Sequence, residues 1–164
     1  RVIPNPVNVE WVKAVGATPT PLPFPEVYAA LEQKAIDGQE NPVTVINANK
    51  FYEVQKHLVL SNHQYNPQSV IISKKFWDGL SADQRKIIAA AAQESAKYQR
   101  EQARSQVATA LDNLKKNGMT VTELPAAELS KMRDKMRPVV AKFGVTVGQD
   151  TVKELQEALA QARR

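Results

Sequence analysis

Residues 16–42 carry more backbone constraint than any other part of the chain. Prolines at positions 19, 21, 23 and 25 stiffen the approach, each fixing its own φ and removing a donor. Pro25 suits the first position of a short amphipathic helix, Glu26 follows in its first turn, and Val27, Ala30 and Leu31 form the apolar face at three-to-four spacing. Asp37-Gly38 then predicts a tight turn. It delivers Gln39, Glu40 and Asn41 to a point where Pro42 forbids regular strand pairing. Polar side chains aimed by so stiff a backbone, with the single aromatic Phe24 beside them, predict a ligand-contacting rim.

Around this segment the pattern alternates strand and helix, which argues for α/β layering. Arg1-Val2-Ile3 reads as a strand end stopped by Pro4 and Pro6, and Asn8 as the cap of a helix running to Val15, with Gly16 ending it. A second helix is expected from Val43 to about Glu53. The stretch 57–63 reads as a strand with His57, Val59, Ser61 and His63 on one face. Ser69–Ser73, apolar throughout its centre, reads as a strand buried on both sides. Ser81 and Gln84 fit a capping box, and no Pro or Gly follows until Gly118. An uninterrupted helix of about 36 residues is roughly 54 Å long, so it must bridge two lobes or bend. A short strand is predicted at Met119–Thr122, then helices at about 126–143, kinked near Pro138, and at about 149–162.

Composition narrows the function classes. With 164 residues, 43% hydrophobic and 24% charged, one globular core is the default. No apolar stretch is long enough to span a bilayer as a helix, and the opening at Arg1 without an apolar leader suggests a processed or truncated start. The absence of cysteine excludes disulfides and thiolate catalysis. A net charge of +5 raises an alternative, a basic module for nucleic acid or an anionic surface. Acids are interspersed with the bases, however, and no aromatic stacking platform is evident. The largest excess, Lys131, Arg133, Lys135, Arg137 and Lys142, reads as a solvated helix face, so no nucleic-acid partner is expected. A helical interaction module on residues 82–117 is disfavoured because its apolar positions are mostly alanine and Gln93, Glu94 and Ser95 interrupt them. Enzymatic motifs are missing, and Glu26, Asp37, Glu40 and Glu53 have simpler readings as helix-start, turn or solvated charges. No catalytic residue, metal or cofactor is expected.

Four candidate ligand-binding residues remain, each with a plainer reading. Arg1 offers a guanidinium fork to a carboxylate, or is an exposed arginine. Asn41 offers an amide to an anion, or caps the next helix. Phe24 offers a wall to a carbon skeleton, or is a hydrophobic staple. His63 ends a strand on a polar step, and alone carries little weight.

In combination these segments are more specific. The Gly16–Pro21 run with Phe24, the Glu26–Leu31 helix, Asp37–Pro42, Phe51–Lys56 and Asn62-His63 resemble, in order, the solute-binding proteins of tripartite ATP-independent periplasmic (TRAP) transporters, DctP type. The resemblance implies a non-enzymatic periplasmic protein that captures a small organic acid and delivers it to membrane permease subunits. It implies two α/β lobes joined by hinge strands and a long helix, with the ligand closed between them. It implies that Arg1 pairs with the ligand carboxylate, Asn41 gives that carboxylate a second donor, Phe24 packs on the ligand body and His63 lies nearby.

The fold class expected is therefore α/β, the second lobe of a two-lobe periplasmic-binding-protein-like fold, with a long bridging helix and C-terminal helices. Residues 1–66 correspond to a second-lobe α/β segment, 67–106 to a strand and long-helix segment belonging to a first lobe, and 107–164 to the return, mostly helical, into the second lobe. Family members are about twice this size. Without the other lobe, Val70, Ile71, Ile72, Ile87 and Ile88 lack the partners the resemblance gives them. Self-association through residues 68–92, or poor order there, is then the expectation.

Overall fold

In the computed structural model, which describes residues 1–162, Asn5 rather than Asn8 opens the first helix, α1 (Pro6–Ala14). The Asn5 side-chain oxygen accepts from the Val7 backbone N–H at 2.9 Å, and Pro6 takes the first helical position, where no donor is needed. Asn8 is instead buried inside the helix, its Oδ1 accepting from Trp11 Nε1 at 3.2 Å. The chain divides into two compact units. The first comprises Arg1–Asn41, His57–Ser61 and the chain from Val121 on; the second comprises Pro42–Lys56 and Asn62–Thr120.

The first unit begins on a short parallel pairing between Val2 and Pro21. Val2 N–H donates to the Thr20 carbonyl at 3.0 Å, and Leu22 N–H returns to the Val2 carbonyl at 3.2 Å. The Arg1 backbone nitrogen donates to the Gly38 carbonyl at 2.6 Å. One 3₁₀ turn at Phe24–Glu26 leads into α2 (Val27–Glu32), whose Val27 and Leu31 are buried as the spacing predicts. The reversal expected at Asp37-Gly38 begins earlier, at Lys34 in the left-handed region (φ 56°), and Gly38 lies beside Arg1.

Two helices complete this unit, α6 (Ala126–Val147) and α7 (Gln149–Ala162). The helix expected to end at about 143 continues to Val147 as one element with Pro138 inside it. A single missing donor costs one rung of the ladder and does not terminate it here. Gly148 ends it at φ 107°. At Gly144 the two helices approach closely: a Cβ there would meet Val152 Cγ2 at 3.1 Å, so the valine would have to shift by a few tenths of an ångström to accept one. Helix α6 also packs on α1, with Lys142 Nζ 3.0 Å from the Glu10 carboxylate. That hydrogen bond to Lys142 is the main cause holding the Glu10 pKa below the usual carboxylate value.

In the second unit, the helix expected over Val43–Glu53 stops early. Helix α3 spans Val43–Ala48, Lys50 turns left-handed (φ 53°), and a separate 3₁₀ turn covers Phe51–Glu53. At the end of α3 the Val45 carbonyl accepts from both the Asn49 backbone N–H at 3.1 Å and the Asn49 side-chain amide at 2.9 Å, and the chain leaves helical geometry at Lys50. The break swings Phe51 into the core, where Ile46, Ala110, Leu114 and Met119 are also buried. Helix α5 (Ala82–Lys116) matches its prediction closely, with both hydrogen bonds of the capping box formed by Ser81 and Gln84.

Sheet content is smaller than expected. Among the described residues a single sheet forms, pairing β1 (His57–Leu60) with β2 (Thr120–Glu123), so β1 stops short of Ser61 and His63. The strand expected at Ser69–Ser73 is not formed; the segment has no regular structure, and Val70 and Ile71 are exposed. A strand's hydrogen bonds come from a neighbouring strand, and none pairs with this segment among the described residues. Ser73 instead caps the short helix α4 (Lys74–Asp78), its hydroxyl accepting from Phe76 N–H.

Candidate functional site

The site is built on the first unit's opening residues. Leu22 stands between Pro21 and Pro23, and a residue before proline is confined to extended geometry, so its carbonyl direction is fixed. Arg1 Nε donates to that carbonyl at 2.8 Å. The Arg1 guanidinium carbon also lies 5.9 Å from the centre of the Phe24 ring, within cation–π range. Two contacts thus orient the guanidinium plane, while among the described residues its two terminal nitrogens make no hydrogen bond. Those nitrogens are the edge that a planar carboxylate matches in bidentate fashion.

Electrostatics at Arg1 pull in opposite directions. Partial burial lowers the guanidinium pKa from its ordinary value, and the Glu40 carboxylate raises it. The group stays charged in either case, because an arginine does not deprotonate in proteins. Burial therefore leaves an incompletely solvated cation, a group that a nearby anion can stabilise.

Asn41 is placed differently from either sequence reading. Helix α3 has Pro42 as its N-cap residue and no side-chain cap bond, so Asn41 does not cap it. Its Nδ2 donates instead to Gln39 Oε1 at 2.6 Å. Both side chains are half-buried. A depression of about 580 Å³ in this unit is lined by Arg1, Gln39 and Glu40 together with the apolar Trp11, Val12 and Ile36.

Of the four candidates, the structure joins Arg1 to Phe24 directly and Arg1 to the 38–41 segment through Gly38. Phe24 is 39% exposed. Neither Phe24 nor Asn41 lines the depression. His63 belongs to the second unit, half-buried in the irregular segment after Asn62. Three features escape motif reading: the Leu22 carbonyl as an acceptor, and, for Glu40 and Gln39, which were expected on the rim, the effect of the first on the Arg1 charge and the bond of the second to Asn41. The alternation of proline around Leu22 was the available signal for the first; the other two depend on contacts that spacing does not specify. Among the described residues no group of three His, Cys, Asp or Glu side chains could hold a metal ion, and no helix is long and apolar enough to cross a membrane.

Comparison with known proteins follows the same segments. The family model for bacterial extracellular solute-binding protein, family 7 (DctP), matches residues 1–146. A TRAP periplasmic solute-binding protein from Ochrobactrum anthropi, crystallised with its C-terminus bound in the ligand-binding pocket, is 50% identical with a TM-score of 0.90, covering 99% of this chain and 51% of that one. The sugar acid binding protein of Advenella mimigardefordensis, solved with galactonate, is 41% identical with a TM-score of 0.90, covering 99% and 52%. The sialic acid-binding periplasmic protein SiaP of Vibrio cholerae is 39% identical over 148 residues, covering 90% of this chain and 45% of its own length. The chain thus spans about half the length of the relatives it matches.

Proposed function

The chain belongs to bacterial extracellular solute-binding protein family 7, and from that premise we propose that the whole protein captures a small organic acid in the periplasm and delivers it to TRAP permease subunits. It acts by binding and release, with no reaction on the ligand. Relatives of the same family have been solved with D-erythronate and with succinate, which supports a carboxylate as the shared feature.

The observation that carries this reading is the Arg1 guanidinium, oriented by Leu22 and Phe24 with its terminal nitrogens making no hydrogen bond among the described residues. In this proposal those nitrogens receive the carboxylate, Asn41 gives a second donor, and Phe24 packs on the carbon skeleton. The part of His63 rests on the resemblance alone. Charge-assisted bonds of this kind strengthen as water is excluded, so closure and capture reinforce each other.

Thermal stabilisation of the whole protein by a panel of aldonates, uronates, dicarboxylates and keto acids tests it. A ligand that binds only the folded state raises stability according to its concentration relative to Kd. Loss of a hydrogen-bonded charge pair costs about 1.5–3 kcal/mol, so Arg1→Ala should weaken the best hit by roughly ten- to a hundredfold. An undiminished shift in that variant would remove Arg1 from the site. We further infer that residues 68–92, where Val70, Ile71 and Ile87 are exposed, associate with a second copy when this chain is isolated.

A further inference from the structure

We propose that Gln39 is a positioning residue that sets the direction of the Asn41 amide for ligand capture. The inference rests on the preceding assignment of Asn41 as a carboxylate donor and deepens it. Its basis is the 2.6 Å hydrogen bond from Asn41 Nδ2 to Gln39 Oε1, made between two half-buried side chains just before Pro42.

An asparagine amide turns about a broad, roughly two-fold torsion. Left alone, Asn41 presents either its nitrogen or its oxygen to an incoming anion, and the oxygen repels a carboxylate. The Gln39 oxygen resolves that choice. It accepts one of the two Nδ2 hydrogens, so with Gln39 in this orientation a flipped Asn41 would set two carbonyl oxygens against each other, and restoring the bond would require both amides to turn together. The remaining Nδ2 hydrogen then has a fixed direction, and it makes no hydrogen bond among the described residues. Pro42 supports the arrangement by confining the Asn41 backbone to extended geometry. Without a cap to form on α3, the amide is not drawn toward the helix.

Gln39 also lines the depression that Arg1 lines, which gives it a competing role as a direct ligand contact. The two roles differ in one measurable respect. A residue that acts through Asn41 has nothing to act on once Asn41 is removed, whereas a direct contact or a general structural role persists.

The experiment is a double-mutant cycle in the whole protein, titrated with the strongest hit from the carboxylate panel. The variants are Gln39→Met, which keeps length but loses the acceptor, Asn41→Ala, and both together. Gln39→Met should weaken binding roughly three- to tenfold, the range of one neutral hydrogen bond. In the Asn41→Ala background the same change should alter Kd by less than about twofold. Gln39→Asn, too short to reach, should reproduce the pattern, and the unliganded melting temperature should stay within a few degrees of the parent's, as loss of one hydrogen bond allows. An equal loss in both backgrounds overturns the proposal, as does unfolding of both Gln39 variants. If no carboxylate in the panel binds the parent protein, the donor role of Asn41 fails first and this inference with it.

Discussion

The two ends of helix α5 share one continuous hydrogen-bond ladder, yet they are held by different physics. At the C-terminal end Ala110 and Leu114 are buried and the Asn113 side chain bonds to Asn47 on α3. From Ala82 to Thr109 no residue is buried, and only Arg85, Ile88, Ala92 and Ala96 are even half-covered. That stretch has its capping box, the helix propensity of its alanines, glutamines and charged residues, and the local ion pair Asp83–Lys86. One end is fixed by tertiary packing and the other by local chemistry. Helix continuity therefore says nothing about where stability resides.

The contrast can be broken most sharply at Leu114. Truncation to alanine should cost about 2–5 kcal/mol through lost burial and the cavity left behind, measured by chemical denaturation followed by circular dichroism. A loss below about 1 kcal/mol would mean that the C-terminal end is no better anchored than the other. Next in size is Ser81→Ala, expected to cost about 1 kcal/mol and to act locally. Hydrogen exchange should then quicken in the first turns of α5 while amides near Leu114 keep their protection. Smallest is Ile87→Ser, which should change monomer stability by less than about 0.5 kcal/mol because the side chain is exposed. If residues 68–92 associate with a second copy as proposed, the same variant should lower the average mass in light scattering. A parent chain that is already monomeric would remove that proposal.

Legibility followed the range of the interactions involved. Ser81 and Gln84 interact three residues apart, and both bonds of their capping box formed as spacing predicted. Val27 and Leu31, one helical turn apart, are both buried. The helix over Val43–Glu53 is shorter than expected, because Lys50 turns left-handed and Phe51 is buried in a core that includes residues distant in the chain. Ser69–Ser73 has the composition of a buried strand, but composition does not provide the neighbour that pairs it. In the candidate site, Arg1, Phe24 and Asn41 were visible as residues. What was not visible is that Arg1 Nε reaches the Leu22 carbonyl and that Asn41 turns toward Gln39 rather than toward α3.

Sequence alone determined this protein's stiff proline-rich run, its long helix with a capped start, and the residue order that marks its family. These depend on backbone sterics and on neighbours within one or two turns. Only the tertiary structure decided which end of that helix is anchored and which edge of the Arg1 guanidinium makes no internal hydrogen bond. Both outcomes rest on contacts between residues far apart in the chain, where burial and hydrogen-bond satisfaction select one arrangement among many that local preference allows.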